Sequence, residues 1–185
     1  MTTLKHYFDL VMPEINLPTH GEMLRYALRI KSNDSLEARQ AMRTIARFFK
    51  REFYYDSVQY AAPWDIENDD ECHAYLWTIE KSTVKIKSVV IGGFCFRKRD
   101  HNRYGLQWIW IHPYLRNRGL LTQHWPYMKK KFGEDFFVEP PYSDHLQKFL
   151  DKKENKMHTF IGGKNKIPYW YDKFSDKGID LVRKK

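Results

Sequence analysis

Two apolar runs constrain this chain more than any other feature. Val89-Val90-Ile91-Gly92-Gly93-Phe94-Cys95-Phe96, within Ser88 to Phe96, is nearly continuous in apolar character. Leu106-Gln107-Trp108-Ile109-Trp110-Ile111 is the second. Short runs of this kind, rich in β-branched and aromatic residues, read as strands buried on both faces. The charged stretch Arg97 to Arg103 lies between them, as a hairpin tip would. His73 to Glu80 has strand composition too and is followed by polar Lys81-Ser82-Thr83. A sheet built from such strands needs helices on it.

The helices are found at the other period. Asp34-Ser35-Leu36-Glu37 reads as a start signal. Behind it Ala38, Ala41, Met42, Ile45, Ala46 and Phe49 recur at three- and four-residue intervals. Arg39, Arg43 and Arg47 occupy the opposite face, which suits solvent or a track of phosphates. Thr19-His20-Gly21-Glu22 reads as an earlier capping box, with Met23, Leu24, Ala27 and Leu28 at helical spacing. Leu121, Trp125, Met128 and Phe132 define another amphipathic helix that ends at Gly133, with Pro126 inside it to kink it or remove a bond. Phe136 to Glu139 is a short strand closed by Pro140-Pro141, and Ser143 then caps a helix with Leu146, Phe149 and Leu150 inward. The expected architecture is an α/β fold: a mixed, mostly antiparallel central sheet flanked by helices. It forms one domain over residues 1–185, with a helical N-terminal part over 1–70, a core over 73–155 and a C-terminal segment over 156–185. In that last segment Met157 to Ile161 and Tyr169 to Phe174 are weak strand candidates.

Composition removes several classes. A hydrophobic content of 42% with 16% aromatics excludes a disordered basic tail. No stretch reaches the ~20 apolar residues of a membrane helix, and Asp9 interrupts any signal-peptide core. Cys72 and Cys95 are too few for a disulfide framework or a four-cysteine zinc site, and the histidines lack ligand spacing, so no metal is expected. The expected setting is the cytoplasm, without membrane contact. The net charge of +9 attracts polyanions or phosphorylated small molecules, or serves solubility alone. It is unevenly placed. Leu146 to Lys185 holds eleven lysines and arginines against five acids, whereas Asp65 to Glu71 is an acidic loop. Ile161-Gly162-Gly163-Lys164-Asn165 lacks the spacing and hydroxyl of a phosphate-binding P-loop.

The segment that carries chemistry runs from Gly105 to Phe132. A buried strand enters a short loop, His112-Pro113-Tyr114-Leu115-Arg116-Asn117-Arg118-Gly119, and then a helix beginning at Leu120 and Leu121. Free N–H groups at a helix start, a glycine that admits close approach, and two arginines make an anion cradle suited to a diphosphate. The bland reading is an ordinary strand-to-helix turn with solvent-facing arginines.

Arg116-x-x-Gly119 at this place resembles the Arg/Gln-x-x-Gly-x-Gly/Ala signature of the GNAT acetyltransferase superfamily, and Trp110-Ile111-His112-Pro113 resembles the end of that family's fourth strand. The likeness covers residues of about 73 to 155, element order included. It implies that acetyl-CoA is the co-substrate, its pyrophosphate held by Arg116, Asn117, Arg118, Gly119, Leu120 and Leu121. It also implies that a backbone N–H near Ile111 or His112 polarises the thioester carbonyl while an amine attacks directly. Two positions depart from the family. Leu121 stands where the signature ends in Gly/Ala, and the tyrosine acid that many members carry falls on Phe149 or Leu150. Glu139-Pro140-Pro141-Tyr142-Ser143-Asp144 loosely resembles a turn of the sister-chromatid cohesion acetyltransferases. It offers Glu139 as base through water, with Tyr142 or Ser143 as proton donor and His112 as an outside choice.

The acceptor expected is an amine on a protein lysine, a peptide or a small molecule; the acidic loop suits a basic peptide. Two alternatives stand beside this. One is a nucleic-acid or aminoacyl-tRNA modifying enzyme on the same fold, drawing on the basic C-terminal end and on Trp170 and Tyr171 for stacking. The other is a binding protein of GNAT shape without chemistry.

Overall fold

A computed structural model of the 185-residue chain describes residues 10–17, 21–55, 58, 60, 69–80, 87–99, 103–139 and 143–152. Among these are seven strands, β1 (Glu14–Asn16), β2 (Met23–Leu24), β3 (Ala27–Ile30), β4 (Cys72–Glu80), β5 (Lys87–Lys98), β6 (Tyr104–Ile111) and β7 (Phe137–Val138). The helices are α1 (Leu36–Phe53), α2 (Leu120–Phe132) and α3 (Asp144–Leu150), with one tighter turn at Pro113–Leu115. One mixed sheet runs β2-β3-β4-β5-β6-β7, and β1 pairs with β5. Every pairing is antiparallel except that of β6 with β7. The acidic loop up to residue 68, Tyr142 and the segment 156–185 with its strand candidates lie outside the described residues.

The continuous apolar runs are explained by cover on both sides. On one face α1 lays Met42, Ile45 and Phe49 against Leu76, Trp108 and Trp110. On the other face Trp125, Met128 and Phe132 of α2 meet Tyr75, Phe94 and Phe96. The rings of Phe96 and Phe132 stack with centroids 3.8 Å apart. Each such buried side chain contributes about 1.5–3 kcal/mol against its exposed state. Ser35 caps α1 as expected, its hydroxyl accepting the Ala38 N–H at 3.2 Å. Helix α2 passes through exposed Pro126 and stops at Gly133, whose φ of 96° suits a residue without Cβ.

One expectation fails. Residues 21–28 do not form a helix, Thr19 and His20 lying outside the described residues; Met23–Leu24 and Ala27–Ile30 are a hairpin with a two-residue turn at Arg25-Tyr26. The reason lies in the spacing itself. Met23 opposes Leu28 and Leu24 opposes Ala27, so the same four residues that mimic one helix turn are cross-strand partners. The open edge of β4 decides between them, since it pairs Ala27 with Trp77 and Leu28 with Leu76 and buries all of β3. The described residues of the N-terminal part therefore do not make a helical extension: β1, β2 and β3 belong to the sheet, and among the described residues α1 is the helix there. Glu22, read as a capping residue, instead gathers Arg29, Lys31 and Lys131 at 2.8, 3.2 and 3.2 Å. Cys72 and Cys95 lie on neighbouring strands, both buried and unbridged, with sulfurs 3.5 Å apart. No helix among the described residues is long and apolar enough to cross a membrane.

His73 on β4 faces Tyr104 and Phe132, and burial pushes its pKa down to about 4, assisted by the Arg29 charge. An unfolded chain protonates this ring near 6.5 while the folded one keeps it neutral, so its contribution is full above pH 6.5 and lost as pH falls to about 4. Urea denaturation at steps of pH should show stability falling by about 1–3 kcal/mol across that window. His73→Phe should flatten it. Glu22 is pushed up by burial but held at about 2 by Arg29, Lys31 and Lys131, so its loss occurs below 4.5 and is separable.

Candidate functional site

Strands β6 and β7 form a fork. Among the described residues they pair only at Gly105 with Phe137 and Leu106 with Val138, and the Glu139 N–H bonds the Leu106 carbonyl at 2.9 Å. The next residues, Pro140 and Pro141, have no N–H to donate, so the pairing cannot continue. Strand β6 runs on to Ile111 without β7. The His112 N–H turns inward to the Ile91 carbonyl at 2.9 Å. By strand alternation Ile111 and Ile109 turn their backbone groups to the vacated edge, where the Ile111 carbonyl accepts Arg116 Nε at 2.8 Å.

A groove of about 460 Å³ opens along this edge, between β6, the start of α2, and α3. Ile111, Arg116, Asn117, Gly119, Leu120 and Leu121 all line it, as does Ser143. Helix α2 begins there on Gly119, at φ 80°, without any side-chain cap; the first internal bond is from the Gln123 N–H to the Gly119 carbonyl at 2.9 Å. The N–H groups of Leu120, Leu121 and Thr122 thus have no partner within the helix, and the dipole adds positive potential at the groove. His145, Lys148 and Lys152, at and beyond α3, also line it, and no Asp or Glu does so among the described residues. An anion with an apolar portion fits such a surface.

The remaining expected residues have other places. Arg118 is exposed and does not line the groove. His112 also stands outside the lining; its Nδ1 accepts the Tyr114 N–H at 3.4 Å, and burial lowers its pKa, followed by the Arg116 charge. Its backbone N–H is spent on Ile91, which leaves Ile111 of the two residues expected to polarise a carbonyl. Glu139 is buried, and its two carboxylate oxygens accept Arg99 Nε and Nη2 at 2.7 and 3.0 Å. It packs so closely on Gly105 that a Cβ there would lie 2.5 Å from Oε1. Ser143 caps α3 by accepting the Leu146 N–H at 3.2 Å, and Tyr142 lies outside the described residues.

Arg116 shows a role that spacing did not reveal. Its guanidinium makes two bonds of 2.6 Å to the carboxylate of Glu52, and Trp110 Nε1 donates to the same group at 2.8 Å. Glu52 sits at the last turn of α1, where the helix dipole disfavours a negative charge. The pair offsets that cost and fastens α1 to the loop ahead of α2. Lys148 and Lys152 were likewise missed; Lys148 lies in the last turn of α3 and Lys152 just past its end at Leu150, and both reach the groove.

No protein-family model matches the chain, and no curated protein matches it. Among solved structures, the xEco2 acetyltransferase domain bound to a CoA conjugate is similar to it with a TM-score of 0.48 at 12% identity. That match covers 74% of this chain and 95% of the other.

Removing one member of the half-buried pair strands the other charge. Glu52→Leu should cost about 2–4 kcal/mol in urea denaturation. The double variant Glu52→Leu/Arg116→Leu should cost less than the sum of the two single changes, because no charge is left alone.

Proposed function

We propose that this chain is an acyl-CoA-dependent N-acyltransferase. The observation that carries the reading is the uncapped start of α2 opening on a groove whose wall, among the described residues, has lysines and no carboxylate. The diphosphate of CoA accepts hydrogen bonds from the N–H groups of Leu120, Leu121 and Thr122, with Lys148 and Lys152 opposite. Gly119 permits the approach: a Cβ built there would meet nothing nearer than Gln123 Nε2 at 3.8 Å, so what glycine supplies is the φ of 80°. Leu121 donates through its backbone N–H. Arg116, engaged by Glu52, acts here by holding the loop in shape. The pantetheine arm, with its amides, lies along the vacated edge of β6 as an added strand would.

In the transfer, the acceptor's amine nitrogen attacks the thioester carbonyl carbon. The new C–N bond forms, the C–S bond breaks, CoA leaves as thiol, and the amine loses a proton. The Ile111 N–H stabilises the developing oxyanion. Ser143, on the groove wall, serves as proton donor, or Tyr142, its neighbour in sequence, does; Glu139 serves as base through water once Arg99 releases it. Acetyl-CoA is the donor that the resemblance to GNAT enzymes suggests, and the acceptor is an amine of a protein, peptide or small molecule. A second reading, a GNAT-shaped binding protein without chemistry, is favoured by two observations: both Glu139 oxygens are occupied, and the Ser143 hydroxyl is a cap.

Isothermal titration checks the donor. Acetyl-CoA and CoA should bind below millimolar concentration, more weakly as salt rises. Gly119→Glu, which places a negative charge at the helix start and strains the backbone, should weaken both by at least about tenfold. Absence of binding, or no effect of Gly119→Glu, rejects the reading. Product formation on an amine acceptor separates enzyme from binding protein.

A further inference from the structure

The base of the fork opens into a recess that acetyl transfer leaves empty. It measures about 120 Å³, and its walls include Phe49, Phe53 and Tyr55 from the end of α1, Trp108 and Ile109 of β6, and Val138 of β7. The polar groups at its margin are already engaged. Gln107 Oε1 accepts Arg97 Nε at 2.8 Å, both Glu139 oxygens accept from Arg99, and Ser143 Oγ accepts the Leu146 N–H. An occupant therefore meets mainly carbon. The recess is continuous with the groove, because Phe53, Ile109, Ser143 and Leu146 line both. A chain extending from a carbonyl held beside Ile111 runs past Ile109 towards Leu106 and Val138, where the strands rejoin.

Its size sets the occupant. A dry cavity of about 150 Å³ lined by aliphatic and aromatic side chains accepts a benzene ring, so 120 Å³ admits about four or five carbon atoms. An acetyl group supplies one methyl and leaves the other walls without contacts. We propose that this recess is an acyl-chain subsite and that the donor is the CoA thioester of a linear acyl group of four to six carbons rather than acetyl. This rests on the reading of the groove as a CoA site and narrows it.

The test is a titration series on the full chain at fixed salt with CoA and its acetyl, butanoyl, hexanoyl and dodecanoyl thioesters. Burying a methylene is worth about fourfold in affinity, so a gain of at least about tenfold from acetyl to hexanoyl is expected, with no further gain to dodecanoyl. Val138→Phe, which fills the floor, should bring the hexanoyl-to-acetyl ratio close to one. Tyr55→Ala, which enlarges the recess at a half-buried position, should move the optimum to a longer chain, and it decides the matter if Val138→Phe does not fold. If CoA binds but affinity is flat with chain length, the subsite is overturned and the CoA reading stands; an acceptor side chain in the recess gives this result. A rise that continues unbroken to dodecanoyl signals surface adsorption and also overturns it. If no CoA species binds, both readings fall together.

Discussion

The parting of β6 and β7 is the constraint on which the rest of the site depends. Backbone hydrogen bonding normally holds two neighbouring strands together along their length; here, among the described residues, it covers two residue pairs, and the prolines after Glu139 have no N–H with which to extend it. Within Gln107 to Ile111, Ile109 and Ile111 then turn backbone groups to an edge that has no partner strand among the described residues. A buried edge of this sort is costly unless something pairs with it. Arg116 satisfies the Ile111 carbonyl, and the groove beside it leaves the remainder open to a ligand. The same parting exposes the start of α2, so strand edge and helix terminus face one space.

Holding the fork open requires fastening its two sides to different parts of the molecule. Glu52, Arg116 and Trp110 tie the loop before α2 to the end of α1 on one sheet face. Arg99 and Glu139 tie the β5–β6 hairpin to the end of β7. In each case a charged pair is withdrawn from water, and such pairs contribute less to net stability than to fixing one arrangement in place. Here the arrangement fixed is the width of the fork. The residues that sequence motifs mark as chemical, Arg116 and Glu139, are held in these ties, while the start of α2 presents its backbone amides to the groove and Lys148 and Lys152, on and just past α3, line it.

The legible parts of the fold were those in which one physical signal dominates. The apolar runs of β5 and β6 have a single solution, burial on both faces, and α1 shows its apolar stripe and serine cap without competition. The helix α2 and its glycine terminus were legible for the same reason. The segment 23–28 was not, because helix and two-residue hairpin share its spacing and the choice was made by a strand edge about fifty residues away. At the site, the loop-to-helix cradle was visible in Arg116-x-x-Gly119, but the partner of Arg116 was not. Glu52 lies 64 residues earlier and carries no local mark beyond an acid at the wrong end of a helix.

What the sequence determined by itself was local: which runs are buried, where helices start and stop, and that an uncapped helix follows a buried strand. Periodicity and capping act over a few residues, so they can be read from a few residues. Tertiary structure decided what those elements do to one another. It made the N-terminal segment part of the sheet, brought Cys72 beside Cys95, and turned an arginine of the cradle into a tie. It also joined the aromatic end of α1 to the fork, creating a recess. These outcomes depend on contacts between residues far apart in the chain, whose pairing is set by competition for edges and faces, which a local pattern does not encode.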